Sequence, residues 1–146
     1  MIERRRDTAP VCCAPPGGPP PVLLLEGAPE SAGAAREFVR EFIRYHVPDA
    51  SDDYLETVVL VACEMVTNSI RYGTEPGDSI RVTLDADDTR TKVEVQDPVR
   101  RHPHPRPKSH DRDRGRGLII LDALCTAWGV TDAPPGKVVW AEVKAS

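Results

Sequence analysis

The sequence lacks a long hydrophobic run, an internal repeat and a positive net charge. No apolar stretch approaches the roughly 18 residues that a membrane span needs, so we expect no membrane partner. The composition is not that of a coiled coil. A net charge of −4 excludes a uniformly basic nucleic-acid binder. The basic N-terminus is not followed by an apolar run of about 7 residues, so no secretory signal is predicted and a cytoplasmic location is expected.

Cysteine is also scarce. Four cysteines are few for a disulfide scaffold, and their spacing matches no zinc motif. Cys63 and Cys125 fall in helical patterns, where a free cysteine is commonly a small buried apolar residue. Cys12 and Cys13 are adjacent near the N-terminus, and nothing in the sequence supports a redox role for them. We therefore expect reduced thiols without assigned chemistry.

Proline, by contrast, is abundant and clustered. The chain has 15 prolines in 146 residues, about twice the usual share of roughly 5%. Six of them lie in residues 1–21 and four in residues 98–107. The length suits one domain with one core. We predict a disordered tail over 1–20 and a single domain over 21–146.

The periodicity of apolar residues within 21–146 predicts both helices and strands. Helical spacing predicts a helix over 30–45 and a second from Ser51 or Asp52, the candidate caps, to about Tyr72, with Gly73 as a C-terminal cap glycine. Strict alternation around 80–84 and 92–96 predicts a β-hairpin. The other predicted elements are strands at 21–26, 128–131 and 138–143 and a third helix over 118–127. Hairpin-paired strands with helices covering one face indicate an α+β two-layer sandwich.

Residues 98–116 break every pattern. They hold six Arg, one Lys and two Asp, so this segment carries +5 while the rest of the chain carries −9. A loop of this length in a compact domain is commonly functional or disordered. It has no Phe, Tyr or Trp to stack on bases, which disfavours a nucleic-acid partner. Its His102, His104 and His110 could bind adventitious metal, but a solvated loop is the favoured interpretation.

The second predicted helix carries candidate chemistry on the side away from its apolar stripe. Glu64 and Asn68 are four residues apart, so their side chains are neighbours there, beside Leu60 and Val61. A carboxylate and an amide beside apolar residues indicate a polar pocket. The alternative is an ordinary solvated outer face.

Two further features follow along the chain. Asp97 shares the parity of Val93 and Val95, so its carboxylate is expected on the buried side of the sheet, where it needs a hydrogen-bond partner. A ligand amine would serve, as would a backbone N–H or a nearby Arg. Gly115-Arg116-Gly117 opens the third predicted helix, and free N–H groups at a helix start suit phosphate, although a flexible turn explains the glycines equally well.

Taken in order, these motifs resemble those of the GHKL superfamily of ATP-binding domains, the Bergerat fold. More narrowly, the chain resembles the small bacterial anti-sigma-factor serine/threonine kinases. The stretches that carry the resemblance are an N box at 64–73, a first Gly-box strand at 93–98, a second Gly box from 115 to 129 and a closing strand at 136–142. The resemblance implies a mixed, mostly antiparallel sheet with three main helices on one face and a mobile ATP lid over 98–114.

The resemblance also implies roles for single residues. Glu64 would be the general base, Asn68 would coordinate Mg²⁺, and Asp97 would accept a hydrogen bond from the adenine amine of ATP. Arg71 would add to the nucleotide site. The remaining nucleotide-binding residues by resemblance are Arg114, Gly115, Arg116, Gly117 and Leu118, with Arg112 as a further lid cation. The implied partners are an anti-anti-sigma (STAS-type) protein and a sigma factor, and relatives of this type are often homodimers.

The sequence departs from the family pattern at two places. Asp97 is followed by Pro98 and two arginines within four residues, with no glycine, and Lys137 is followed by valines where the closing strand often has a Thr. Two functions therefore stay open. One is an ATP-dependent serine/threonine kinase. The alternative is a catalytically weak or inactive ATP-binding module that regulates a partner by contact alone.

Overall fold

A computed structural model describes residues 18, 20–98, 119–134 and 136–145 of the chain. Two long helices, α1 (Ser31–His46) and α2 (Asp52–Gly73), lie between the first and second of five strands. The strands are β1 (Val22–Glu26), β2 (Ser79–Ala86), β3 (Arg90–Asp97), β4 (Ala127–Ala133) and β5 (Gly136–Lys144). A further helical segment, α3, is described over 119–124. The predicted 1–20 tail and 98–114 lid lie almost entirely outside the described residues.

The strands form one sheet in the order β1-β2-β3-β5-β4. All four pairings are antiparallel, so the described sheet has no parallel component. Along β3, side chains alternate strictly between buried and half-buried positions, as the alternation in the sequence predicted. The buried face of the sheet meets the helices. The predicted α+β two-layer sandwich is therefore confirmed.

The helices form where their apolar stripes predicted. In α1, five buried residues recur at helical spacing: Ala35, Phe38, Val39, Phe42 and Ile43. The start of α2 is capped by Ser51, whose hydroxyl accepts a hydrogen bond from the Tyr54 N–H at 3.0 Å. Val61, which we expected on the outer side of α2, is fully buried, whereas Leu60 is 44% exposed. Neighbouring elements thus cover α2 over a wider arc than its main stripe suggested.

Two predicted helix ends are corrected. Gly73 is the last residue of α2 and the turn glycine with positive φ is Gly77, so Gly73 is not a left-handed cap. The Thr74 hydroxyl instead bonds the Ile70 carbonyl at 2.8 Å and closes the last turn of the helix. The third helix was predicted to reach Ala127, but its described part stops at 124. The backbone N–H of Thr126 already bonds the Glu142 carbonyl at 2.9 Å, which commits the chain to β4.

The core lies between the helices and the inner face of the sheet. Its sheet side consists of small and branched apolar residues, among them Ile80, Val82, Leu84, Val93, Val95, Ala141 and Val143. Within the described residues, three polar side chains are buried with them: Ser69, Thr91 and Asp97. In the described part of the chain, no helix is both long and apolar enough to cross a membrane.

Candidate functional site

Two of the three buried polar residues lie together, at the end of β3. Asp97 is the last residue of that strand, and its carboxylate is 1% exposed. Its parity places the side chain on the inner face of the sheet, against the C-terminal part of α2, as the sequence predicted. A buried carboxylate without partners would be strongly destabilising. The groups around Asp97 must therefore compensate the charge of its carboxylate.

In the described part of the chain, two partners of Asp97 come from other elements. Lys137, directly opposite on β5, places its Nζ 2.8 Å from Asp97 Oδ2. The hydroxyl of Ser69 on α2 lies 3.4 Å from the same oxygen, at the long limit of a hydrogen bond. Of these two contacts, the one with the ammonium is charged and short, and Ser69 adds a weak contact.

Two glycines leave the space that Asp97 occupies. A Cβ at Gly73 would overlap the Asp97 carboxylate, and a Cβ at Gly136 would overlap the Asp97 backbone carbonyl. Any other residue would force α2 or β5 away from the end of β3. The close approach of the Asp97 side chain, rather than a helix cap, explains glycine at position 73.

A small cavity of about 60 Å³ opens beside this cluster. Asn68 and Asp97 line it together, so the structure brings these two predicted site residues to one place. Trp128 forms part of its wall, and the indole N–H is fixed by a 2.7 Å hydrogen bond to Asp122. The full described lining is Met65, Asn68, Ser69, Tyr72, Asp97, Leu121, Trp128, Val130, Lys137 and Val139. The volume is below the roughly 300–1,000 Å³ of typical ligand pockets, so these residues by themselves do not enclose a whole nucleotide.

The other predicted residues are placed differently. Glu64 is half-buried one turn before Asn68 on α2 and does not line the cavity. Arg71 is exposed and lines a separate groove on the other side of α2, so the described residues do not bring it to Asp97. Its role as a nucleotide ligand stays a prediction. The phosphate-side residues predicted at 114–118, and Arg112, lie outside the described residues.

Sequence reasoning missed two members of the cluster, Lys137 and Ser69. Lys137 becomes a partner of Asp97 only because β5 pairs with β3, a contact between residues forty positions apart. Ser69 adjoins Asn68 but belongs to the buried side of α2. The polar residue inside an otherwise apolar stripe was the available signal for Ser69.

The polar groups of this cavity fit an adenine nucleotide. The Asp97 carboxylate can accept from an exocyclic amine, and the Asn68 amide oxygen is a ligand type that Mg²⁺ takes beside phosphate. Among the described residues, no cluster of three or more His, Cys, Asp or Glu side chains could hold a metal alone. Magnesium held by Asn68 together with nucleotide oxygens stays a prediction.

One comparison with known proteins bears on this site. The chain matches the family described as histidine kinase-like ATPase domain over residues 25–143, which is most of its length. The match includes β3 with Asp97, α2 with Asn68 and β5 with Lys137. No curated protein matches the chain.

Proposed function

The chain belongs to the histidine kinase-like ATPase domain family, and on that premise we propose that it is an ATP-dependent serine/threonine protein kinase that acts on an anti-anti-sigma (STAS-type) partner. Family membership gives the coarser statement directly: this is an ATP-binding domain with a regulatory role. The proposal adds the acceptor, a Ser or Thr hydroxyl, and the control of a sigma factor through that partner.

One observation carries the nucleotide part of the proposal. Asp97 is a 1% exposed carboxylate at a strand end, cradled by glycines and facing a cavity that it shares with Asn68. A buried ion pair adds little net stability over apolar packing of similar volume, so the fold by itself does not require a carboxylate here. Recognition of an amine gives the carboxylate at this position a function.

Three residues of the chain would have separate roles in the proposed reaction. ATP, when bound, supplies the γ-phosphoryl group and ADP as the leaving group. Asp97 would hold the base by its amine, and Asn68 would help hold Mg²⁺ at the phosphates. Glu64, one helical turn from Asn68, would take the proton from the hydroxyl of the partner's Ser or Thr. The oxygen of that hydroxyl would then bond to the γ-phosphorus as the bond between the γ-phosphorus and ADP breaks.

A second candidate is a regulatory ATP-binding module without transfer. One observation favours it: Glu64, the proposed base, does not line the cavity at Asp97. In this case the nucleotide would change the affinity of the chain for a partner, and no phosphate would move.

A transfer assay with a matched variant pair separates the candidates. Purified chain is incubated with Mg²⁺, ATP labelled in the γ-phosphate and STAS-type partners, and nucleotide binding is measured by thermal shift. We expect Glu64→Gln to remove about 99% or more of the transfer, the contribution of a general base, while the ATP-induced thermal shift stays unchanged. Glu56→Gln is the control, because Glu56 lies two turns earlier on the same helix and pairs with Arg40 at the surface.

The alternative outcomes are distinct. ATP binding without transfer to any STAS-type partner would contradict the kinase and support the regulatory module. Transfer that survives Glu64→Gln would keep the kinase and remove Glu64 as its base. No thermal shift at millimolar Mg-ATP would contradict both candidates.

A further inference from the structure

Lys137 has no role in the function proposed above, yet its ammonium contacts the residue on which that function depends. Its Nζ lies 2.8 Å from Asp97 Oδ2, and both residues line the same cavity. The pair is directly cross-strand, so its proximity is set by the register of β3 and β5. A base that reaches Asp97 therefore also meets Lys137.

The two charges differ in how firmly they are held. The Asp97 side chain is 1% exposed and confined by Gly73, whereas the Lys137 side chain is 30% exposed and sits on a flexible four-carbon stem. An ammonium has three N–H donors. Asp97 is the only partner that the described residues give Lys137, and that contact uses one donor. Lys137 thus has donors left for a second acceptor at the cavity.

Together the pair presents a fixed acceptor next to an adjustable donor. Adenine offers the complementary arrangement, because its amine is flanked by two ring nitrogens, N1 and N7, that accept hydrogen bonds. We propose that Lys137 is a specificity-determining residue of the nucleotide site, which donates to the ring nitrogen beside the amine that Asp97 accepts. This inference rests on the proposed function, since it requires a nucleotide base in this cavity.

The test is a thermodynamic cycle between one side chain and one ligand atom. Dissociation constants are measured by calorimetry for ATP, 1-deaza-ATP and 7-deaza-ATP, each with Mg²⁺, on the unmodified chain and on Lys137→Met. In each analogue a carbon replaces one ring nitrogen. We expect the unmodified chain to bind one of the analogues about tenfold or more weakly than ATP, the effect of losing one charge-assisted hydrogen bond. Lys137→Met should weaken ATP binding by a similar factor and bind that analogue as well as it binds ATP.

Two further variants guard this result against a simple folding defect. Lys137→Arg keeps the cation beside Asp97 and should keep a preference for ATP over the same analogue. Lys92→Met is the matched control, because Lys92 pairs with Glu94 and lies over the Trp140 ring, away from the cavity. It should leave all three affinities unchanged. Circular dichroism of each variant reports whether it is folded.

The outcomes separate the inference from the function beneath it. If the unmodified chain binds ATP and both analogues equally well, the inference is overturned whatever the variants do. It is likewise overturned if Lys137→Met keeps the full preference for ATP. If the unmodified chain binds none of the three nucleotides, the proposed function and the inference fail together.

Discussion

Two concave regions lie on opposite sides of α2, and they differ in size and chemistry. The first is the cavity of about 60 Å³ at Asp97. The second is a groove of about 580 Å³ between the β1–α1 connection, α2 and the α2–β2 turn. The groove is bounded by residues 26–29, by Ala32, Thr67, Ile70 and Arg71, and by residues 74–78. At about 100° per residue, the α2 positions that line the groove point away from those that line the cavity.

The larger region holds no buried charge. None of the groove residues is buried, so its charged side chains carry a smaller desolvation cost than a buried carboxylate does. The small cavity holds a buried carboxylate, an ammonium, an amide and an indole whose orientation is fixed. Volume by itself therefore does not identify a site. A buried charge is a better sign of a binding site, because its burial costs free energy unless a partner or a ligand compensates the charge.

The largest expected effect tests which region binds ATP. Asp97→Asn replaces a charged acceptor at the cavity, and we expect it to weaken ATP binding by at least about tenfold. Glu26→Gln makes the equivalent change at the rim of the groove, where Glu26 is exposed, and should leave the affinity unchanged. Calorimetric titration of both variants with Mg-ATP measures this. The reverse result would move the nucleotide site to the groove.

The second prediction concerns the glycine beside Asp97. Gly73→Ala inserts a Cβ where the Asp97 carboxylate lies, so we expect the free energy of unfolding to fall by about 1–3 kcal/mol. Gly33→Ala is the matched control in α1, where the added Cβ meets nothing closer than 3.9 Å and should stabilise the helix by roughly 0.5–1 kcal/mol. Urea denaturation compares the two. Equal free energies of unfolding for Gly73→Ala and Gly33→Ala would show that Gly73 does not confine the Asp97 carboxylate.

The third prediction asks whether burial of a polar group is enough to mark a site. Thr91 is fully buried at the opposite end of β3, where the Tyr54 hydroxyl lies 2.7 Å from its Oγ1 and donates to the Val143 carbonyl at 3.0 Å. Tyr54→Phe should cost about 1 kcal/mol of stability by removing these bonds. The dissociation constant for ATP should not change. An altered ATP affinity would show that the two ends of β3 are coupled.

The smallest effect concerns an exposed carboxylate in neither region. The Thr89 hydroxyl, with the Thr89 and Arg90 N–H groups, lowers the pKa of Asp87 in the β2–β3 turn from its ordinary value of 3.8. The charged form therefore stabilises the fold above that pH, and the contribution is lost as the pH falls through the lowered pKa. Asp87→Asn should be a few tenths of a kcal/mol less stable than the unmodified chain at pH 7. Chemical denaturation at pH 7 and pH 3 should show the two proteins converging in acid, and a constant difference would contradict this.

Much of this protein was predictable from the sequence. The apolar stripes located α1 and α2, strict alternation located β2 and β3, and Ser51 marked the start of α2, because these signals depend on residues a few positions apart. The parity of β3 placed Asp97 on the buried face for the same reason. The predicted end of the third helix was wrong. The helix ends earlier because the chain pairs with β5 from Thr126 onward, and local periodicity does not report this contact.

The sequence by itself determined the residue types of the site: a carboxylate at a strand end, an amide on the helix beside it, and the motif order of an ATP-binding family. Only the tertiary structure decided which groups meet. The pairing of β5 with β3 places Lys137 on Asp97, and the packing of α2 against the end of β3 places Gly73, the expected cap, against the Asp97 carboxylate. The physical reason is that a buried charge is compensated by whatever packing brings near it, and packing joins residues that are distant in the chain.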